Sequence, residues 1–220
     1  LAIQKKTNLL FSLEKYLPQI SSENLFEWEL LKGQAYIVDG ENELALRQFR
    51  SALKMKPNDV RVLNTVALIY IRNIWYEDAN SLIQKSLDMD STNHKTWTLK
   101  GDLHLAQQDF KQALSSYQYA YSLRPDDIVV LRTLAALHLR KNEMEEVAKY
   151  ATELQLISPQ DPSSLLMLAW TKISNNELDS ARESLANLSA KLGLISSTVN
   201  EQNPVMLYIR GTAEFIQGND

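Results

Sequence analysis

The 220-residue chain is 45% hydrophobic and 23% charged, which is the balance of a folded protein with a substantial core. Only six glycines and six prolines are present, too few for the many tight turns of an all-β fold, so a mostly helical protein is expected. The net charge of -4 argues against a nucleic acid or an anionic membrane surface as partner, and the absence of cysteine excludes disulfides and thiol catalysis. The longest apolar runs are also far shorter than the roughly 20 residues that span a bilayer.

Self-similarity with a period of 34 residues organises most of the chain. Pro57, Pro125 and Pro159 stand two periods and then one period apart, and residues of matching type fall into columns between them. The most regular columns are Gly33, Tyr36, Gly40, Ala45, Phe49, Ala52 and Pro57 in the 26–59 unit, and Trp97, Gly101, Ala113, Tyr117, Ala120 and Pro125 in the 94–127 unit. Columns of this kind indicate that one structural unit is repeated along the chain.

The residue types in these columns predict two antiparallel helices in each unit. Small residues such as Gly33 and Ala45 let two helices approach closely, and aromatic columns fill the space between them. Gly40, Asn142 and Asn176 stand where the first helix must end, since these residues tolerate the left-handed conformation of a helix C-terminus. The prolines cannot continue the second helix and so mark its end.

This pattern resembles the tetratricopeptide repeat family over about 170 consecutive residues. The resemblance implies an all-α fold, an α-solenoid of stacked antiparallel helix pairs in a right-handed superhelix. In chain order it predicts a leading helix and connection that belong to a preceding repeat (1–25), four repeats (26–59, 60–93, 94–127, 128–161), a degenerate repeat (162–195), a loop (196–203) and the first helix of a truncated further repeat (204–220). We therefore expect a fragment of a longer repeat protein, whose cut ends favour self-association through exposed apolar faces.

The resemblance also implies a partner-binding groove. In the family, the second, fifth, ninth, twelfth and thirteenth positions of each unit line the concave face. The matching residues here include Arg61, Asn64, Arg72, Lys95, Thr98, Asp102, Arg132, Arg140, Trp170 and Tyr208. Because arginine and lysine pair with carboxylates, a protein or peptide with acidic groups is the predicted partner. The alternative is that these cations are ordinary solvated side chains.

The tryptophans have two interpretations. Trp28, Trp75 and Trp97 stand at or beside packing columns, so we expect them in the core. Trp170 stands in a column that faces the groove, which favours an exposed anchor for a partner. The other interpretation is that it is buried against the next unit.

The sequence offers no pattern for catalysis or for a metal site. His104 and His138 take the column of Tyr36 and Tyr70, which predicts a packing role, and they lack the spacing that places two imidazoles on one helix face. Neither a nucleophile-elbow pattern nor a phosphate-binding glycine loop is present. We expect a protein that is not an enzyme and that carries neither cofactor nor metal.

The leading hypothesis is a scaffold that binds a partner protein or peptide in its groove. The alternative is an assembly role in a bacterial envelope system for secretion or exopolysaccharide. It depends on residues 203–220, which resemble segments of exported bacterial repeat lipoproteins of exopolysaccharide and protein-sorting (PEP-CTERM-type) systems. This alternative predicts a periplasmic or outer-membrane-attached location, whereas the scaffold hypothesis also allows a cytoplasmic one.

Overall fold

The computed structural model describes residues 22–181, 183–185 and 188, and these residues are helical apart from short turns. The complete helices among them are α1 (Ser22–Val38), α2 (Asn42–Met55), α3 (Val60–Arg72), α4 (Tyr76–Met89), α5 (His94–Ala106), α6 (Phe110–Leu123), α7 (Ile128–Arg140), α8 (Met144–Ile157) and α9 (Pro162–Ser174). Residues 178–181 are helical as well. The all-α fold class is therefore confirmed, although α1 begins at Ser22, inside the segment assigned to the leading connection.

The chain divides into two compact units, residues 1–116 and 117–220. In the first unit α1 packs against α2 and α3 against α4, while α2 also contacts α3, and α5 contacts both α3 and α4. In the second unit α8 packs against α7 and α9, and α9 also contacts α7. In both units a helix thus packs against its partner in the pair and against a helix of the next pair.

The core of the first helix pair shows why a glycine is needed there. The ring of Phe49 is almost fully buried against α1, and a Cβ added to Gly33 would lie 2.6 Å from that ring. Since non-bonded carbon atoms are normally at least 3.5 Å apart, only glycine lets the ring lie so close to the backbone. The surrounding cluster consists of Phe26, Leu30, Ala45, Leu46, Phe49, Ala52, Val62, Val66 and Ile69.

The turn between the two helices of a pair contains one residue in the left-handed conformation. The positive φ angles are 82° at Gly40, 65° at Ile74, 62° at Gln108, 61° at Asn142 and 62° at Asn176. The prediction for Gly40, Asn142 and Asn176 is confirmed. Ile74 and Gln108 adopt the same conformation, because a turn of the same length must reverse the chain at every pair.

The first helix of a pair is capped by the residue that ends the previous period. The side chains of Asp59, Asn93, Asp127 and Asp161 accept hydrogen bonds from backbone N–H groups in the first turn of α3, α5, α7 and α9. Each such bond satisfies a donor that has no partner within the helix. The caps therefore fix where the groove-lining helices begin.

Candidate partner-binding groove

A surface pocket of about 320 Å³ lies along α3 and α5, the first helices of neighbouring pairs. Three of the residues that the repeat pattern places in the groove, Arg61, Asn64 and Lys95, line this one pocket. The complete lining consists of Val60, Arg61, Asn64, Thr65, Leu68, Asn93, Lys95 and Leu99. We refer to it as the α3–α5 groove.

Arg61 is exposed but already engaged within the chain. Its Nη2 donates to Glu27 Oε1 at 3.1 Å and to Asp59 Oδ2 at 3.0 Å. These hydrogen bonds, to Asp59 first and Glu27 second, raise the pKa of Arg61 above its ordinary value. Two carboxylates therefore offset its charge, and Arg61 forms a fixed rim of the groove.

Asn64 has a buried acceptor without a partner. Its Nδ2 donates to Thr96 Oγ1 at 2.8 Å, across the contact between α3 and α5. Its Oδ1 is buried and accepts no hydrogen bond. An unsatisfied buried acceptor costs about 1 to 3 kcal/mol. Because this oxygen is closed off from solvent, it is a local cost of the contact between α3 and α5 and is not within reach of a partner's donor.

The rest of the groove combines an apolar floor with a cationic rim. Leu99 is buried, while Val60 and Leu68 are half-buried and face the same pocket. Lys95, at the start of α5, is exposed at the rim. This combination suits a peptide that places an apolar side chain on the floor and a carboxylate near Lys95.

The other predicted groove residues of the first unit lie outside the pocket lining. Thr98 Oγ1 donates to His94 O at 3.0 Å, within its own helix. Asp102 is half-buried, and Arg72 is exposed in the last turn of α3. Their role in binding stays a prediction.

In the second unit, Arg132 forms an ion pair with Asp161, which is buried and caps α9. The Nε of Arg132 is itself buried without a hydrogen-bond partner. Arg140 is exposed in the last turn of α7, and Trp170 is half-buried against the cluster of Leu166, Ala169, Leu185 and Leu188. Tyr208 lies outside the described residues.

The tryptophans follow the core prediction only in part. Trp28 is buried, and Trp97 is half-buried with its Nε1 donating to Ser91 O at 2.8 Å. The prediction for Trp75 is wrong, because 46% of that residue is exposed. Trp75 stands at the N-cap of α4, directly after the left-handed Ile74, so the turn holds it outside the helix pair.

His138 has the packing role that its column predicts. It is buried, its ring stacks on Tyr150 with centroids 5.5 Å apart, and its Nδ1 lies 2.6 Å from Glu143 Oε2. Among the described residues, no group of three histidine, aspartate or glutamate side chains is placed to hold a metal ion. Within the same part of the chain, no helix is long and apolar enough to cross a bilayer.

A larger pocket, of about 650 Å³, lies along α2 and was not predicted from the sequence. Its lining consists of Glu43, Leu46, Arg47, Arg50, Ser51, Lys54 and Trp75. We refer to it as the α2–Trp75 pocket. The sequence signal for it was the spacing of Arg47, Arg50 and Lys54, which places three cations on one face of a helix.

Comparison with known proteins shows what part of the chain is similar to. Residues 104–163 match a family model described as tetratricopeptide repeat. Tetratricopeptide repeat protein 21A of Mus musculus is 22% identical over 130 residues, which are 59% of this chain and 10% of that protein. The BBSome complex member BBS4 of Bos taurus is 25% identical over 89 residues, which are 40% of this chain and 17% of that protein. The matched region is thus less than a fifth of either relative.

A solved structure with the same fold is that of Pseudomonas aeruginosa PilF. It superposes with a TM-score of 0.73 at 18% sequence identity, and the match covers 90% of this chain and 86% of that one. At this level of identity the likeness concerns the fold.

Proposed function

We propose that the chain is a scaffold that holds an extended segment of a partner protein in the α3–α5 groove, since residues 104–163 match the tetratricopeptide repeat model and the chain shares its fold with PilF. Repeats of this kind generally present surfaces on which other proteins bind. The relative BBS4 is named as a member of a complex, which agrees with a role in assembly. One observation carries this function above the others, the pocket in which Arg61, Asn64 and Lys95 lie together around an apolar floor.

Asn64 lines the groove and joins the two helices that form it, since its Nδ2 donates to Thr96 Oγ1 at 2.8 Å. This hydrogen bond fixes α5 against α3 before a partner arrives. A preorganised surface binds more tightly than a mobile one, since less conformational entropy is lost on binding. Asn64 is therefore the residue that fixes the shape of the groove.

Charge contributes at one point of the groove. Arg61 is offset by Glu27 and Asp59, so the rim cation best placed to meet a carboxylate of the partner is Lys95. A single exposed ion pair contributes less than about 1 kcal/mol. The acidic preference of the groove is therefore modest, and the apolar floor supplies most of the affinity.

Selection of peptides from a display library on the purified chain, followed by fluorescence anisotropy with the selected peptides, tests this function. We expect Asn64→Ala to weaken binding about tenfold or more and Lys95→Glu to weaken it severalfold. Lys111→Glu, which makes the same charge change at an exposed position on α6, is the matched control and should leave the affinity unchanged. Equal binding by all three variants would show that the groove is not the site.

The alternative, an assembly role in a bacterial envelope system, stays a prediction. It depends on residues 203–220, which lie outside the described residues. The location in the periplasm or at the outer membrane depends on the same segment.

A further inference from the structure

We propose that the α2–Trp75 pocket is a second docking site, which takes a partner-protein segment with carboxylates next to an apolar side chain. It shares no lining residue with the α3–α5 groove. The inference therefore goes beyond the proposed function and is independent of the groove.

The lining of the pocket concentrates positive charge. Arg47, Arg50 and Lys54 line the pocket together with one acid, Glu43, and Asp78 is a further acid that acts on Arg50. The cations remain in excess, although the whole chain has a net charge of -4. At the same positions of the next two repeats stand Ser81, Gln84 and Asp88, and Ser115, Gln118 and Ser122. The excess of cations is thus a property of the first pair and not of the repeat.

The turn that contains Trp75 differs in sequence from the other described turns. In the other described turns the left-handed residue is followed by an acid, namely Glu41, Asp109, Glu143 or Glu177. In this turn it is followed by Trp75, which, like Glu41 and Glu143, makes no side-chain capping bond to the helix that it precedes. The chain therefore replaces an acid by an aromatic residue at the turn that faces the three cations.

The geometry of this turn presents the aromatic ring to the pocket. Ile74 has φ 65° and is 70% exposed, and the ring of Trp75 lies 5.4 Å from that of Tyr70. Tyr70 in turn accepts a hydrogen bond from Arg50 Nη2 at 3.3 Å. A β-branched residue with positive φ is unfavourable locally, and strained residues of this kind concentrate at functional sites.

The dimensions of the pocket favour a protein segment over a nucleic acid. A volume of about 650 Å³ lies within the range of about 300 to 1,000 Å³ that is usual for binding pockets. From Arg47 to Lys54 the helix rises about 10 Å, which is the span of a few residues of an extended peptide. Nucleic-acid sites with strong salt dependence neutralise about 6 to 10 phosphates. The three cations of this pocket are too few for that. Leu46 and Trp75 supply the contact for the apolar side chain.

Counter-selection isolates this site in an experiment. A random-peptide display library is depleted on the Arg47→Glu/Lys54→Glu double variant, which retains the α3–α5 groove, and the remainder is selected on the unaltered chain. We expect the recovered peptides to carry Asp or Glu beside Phe, Trp, Leu or Ile. Their affinity, measured by fluorescence anisotropy, should fall about tenfold or more on the double variant and fall as salt rises.

Trp75→Glu separates binding from folding, because it gives this turn the residue type that the other turns have. We expect this variant to keep its circular dichroism spectrum and its melting temperature but to bind the recovered peptides about tenfold more weakly. Asn64→Ala should leave their affinity unchanged. A failure of the groove proposal would therefore not affect this result.

Four outcomes would overturn the inference. One is that no peptide survives the counter-selection, or that the survivors lack acidic residues. The second is undiminished binding to Trp75→Glu. The third is tight binding of a single-stranded oligonucleotide of about 20 nucleotides in place of peptides. The fourth is a dimer in sedimentation that the double variant abolishes, since the pocket would then bind a second copy of the chain.

Discussion

At the scale of single residues, Ile74 is held in a backbone conformation that a β-branched side chain rarely adopts. The same position is filled elsewhere by Gly40, Asn142 and Asn176, which tolerate positive φ. The left-handed conformation at these three positions was predictable because glycine and asparagine adopt it readily. The same conformation at Ile74 and Gln108 was not predictable, because there the turn imposes it on residues that do not favour it.

Replacing Ile74 by asparagine should therefore stabilise the protein. The substitution relieves a strain of about 1 kcal/mol or more, and it removes no buried contact since the side chain is mostly exposed. We expect the midpoint of urea unfolding to rise, with Ile74→Val as the matched control that keeps the β-branch and gives no gain. An unchanged midpoint for Ile74→Asn would show that the turn is not strained.

Tyr121 provides a prediction about pH. Burial, together with the hydrogen bond that it donates to Glu153 Oε2 at 2.8 Å, raises the pKa of Tyr121 to about 12. The unfolded chain loses this proton near the ordinary pKa of 10.0, while the folded chain keeps it until about 12. The stability that this proton supplies is complete below pH 10 and is lost as the pH rises from 10 toward 12.

Urea unfolding at a series of pH values checks that stability falls as the pH rises. Between about pH 10 and 12 the free energy of unfolding should fall more steeply for the unaltered chain than for Tyr121→Phe, which has no phenolic proton. Glu153→Gln should lie between the two, because burial still acts on Tyr121 when the carboxylate is gone. Parallel curves for the unaltered chain and Tyr121→Phe would contradict the assignment.

At the scale of helices, the contact between α1 and α2 depends on a residue without a side chain. In a helix, alanine is favoured over glycine by about 1 kcal/mol, so Gly33→Ala would be expected to stabilise an isolated α1. In the folded pair the added Cβ would lie 2.6 Å from the buried ring of Phe49, and overpacking of this kind costs about 1 to 3 kcal/mol. The steric term outweighs the helix propensity.

We therefore expect Gly33→Ala to lower the midpoint of urea unfolding. Combining it with Phe49→Leu should cost less than the sum of the two single changes, because the smaller side chain makes room for the Cβ. A gain in stability for Gly33→Ala would mean that α1 and α2 are able to move apart.

The helix caps give a second prediction at this scale. Asp161 caps α9 with two bonds of 3.0 Å to the N–H groups of Ser163 and Ser164, and it also pairs with Arg132. Asp161→Asn keeps an acceptor for the cap and loses the ion pair, whereas Asp161→Ala loses both. We expect both variants to be destabilised, and Asp161→Ala by about 1 kcal/mol more, which urea unfolding measures. Equal destabilisation would show that the cap contributes nothing.

The helix pairs could be predicted from the sequence, whereas the two pockets could be predicted only in part. The period of 34 residues is visible because the packing of each pair needs the same small and aromatic residues at the same places. The groove residues Arg61, Asn64 and Lys95 were predictable from the repeat positions that line the concave face. The unpartnered acceptor of Asn64 and the exposure of Trp75 could not be predicted, because both depend on which side chains of neighbouring helices lie around them.

At the scale of the whole molecule, each helix pair is stabilised mainly by itself and by the pairs next to it. A destabilising substitution should therefore affect its own helix pair and the neighbouring pairs most. In hydrogen exchange, Gly33→Ala should speed the exchange of amides in α1 and α2 and leave α9 nearly unchanged. Asp161→Ala should speed exchange in α9, which it caps, and leave α1 and α2 nearly unchanged. Uniform acceleration by either variant would instead indicate one cooperative unit.

The position of the caps also bears on how such a chain lengthens. The caps Asp59, Asn93, Asp127 and Asp161 stand 34 residues apart, and each turn carries its own left-handed residue. A gene segment that runs from one cap codon to the next thus encodes a helix pair together with its start and reversal signals. Tandem duplication of that segment would insert a pair whose boundaries are already specified, so the array can grow by recombination without new junctions having to evolve.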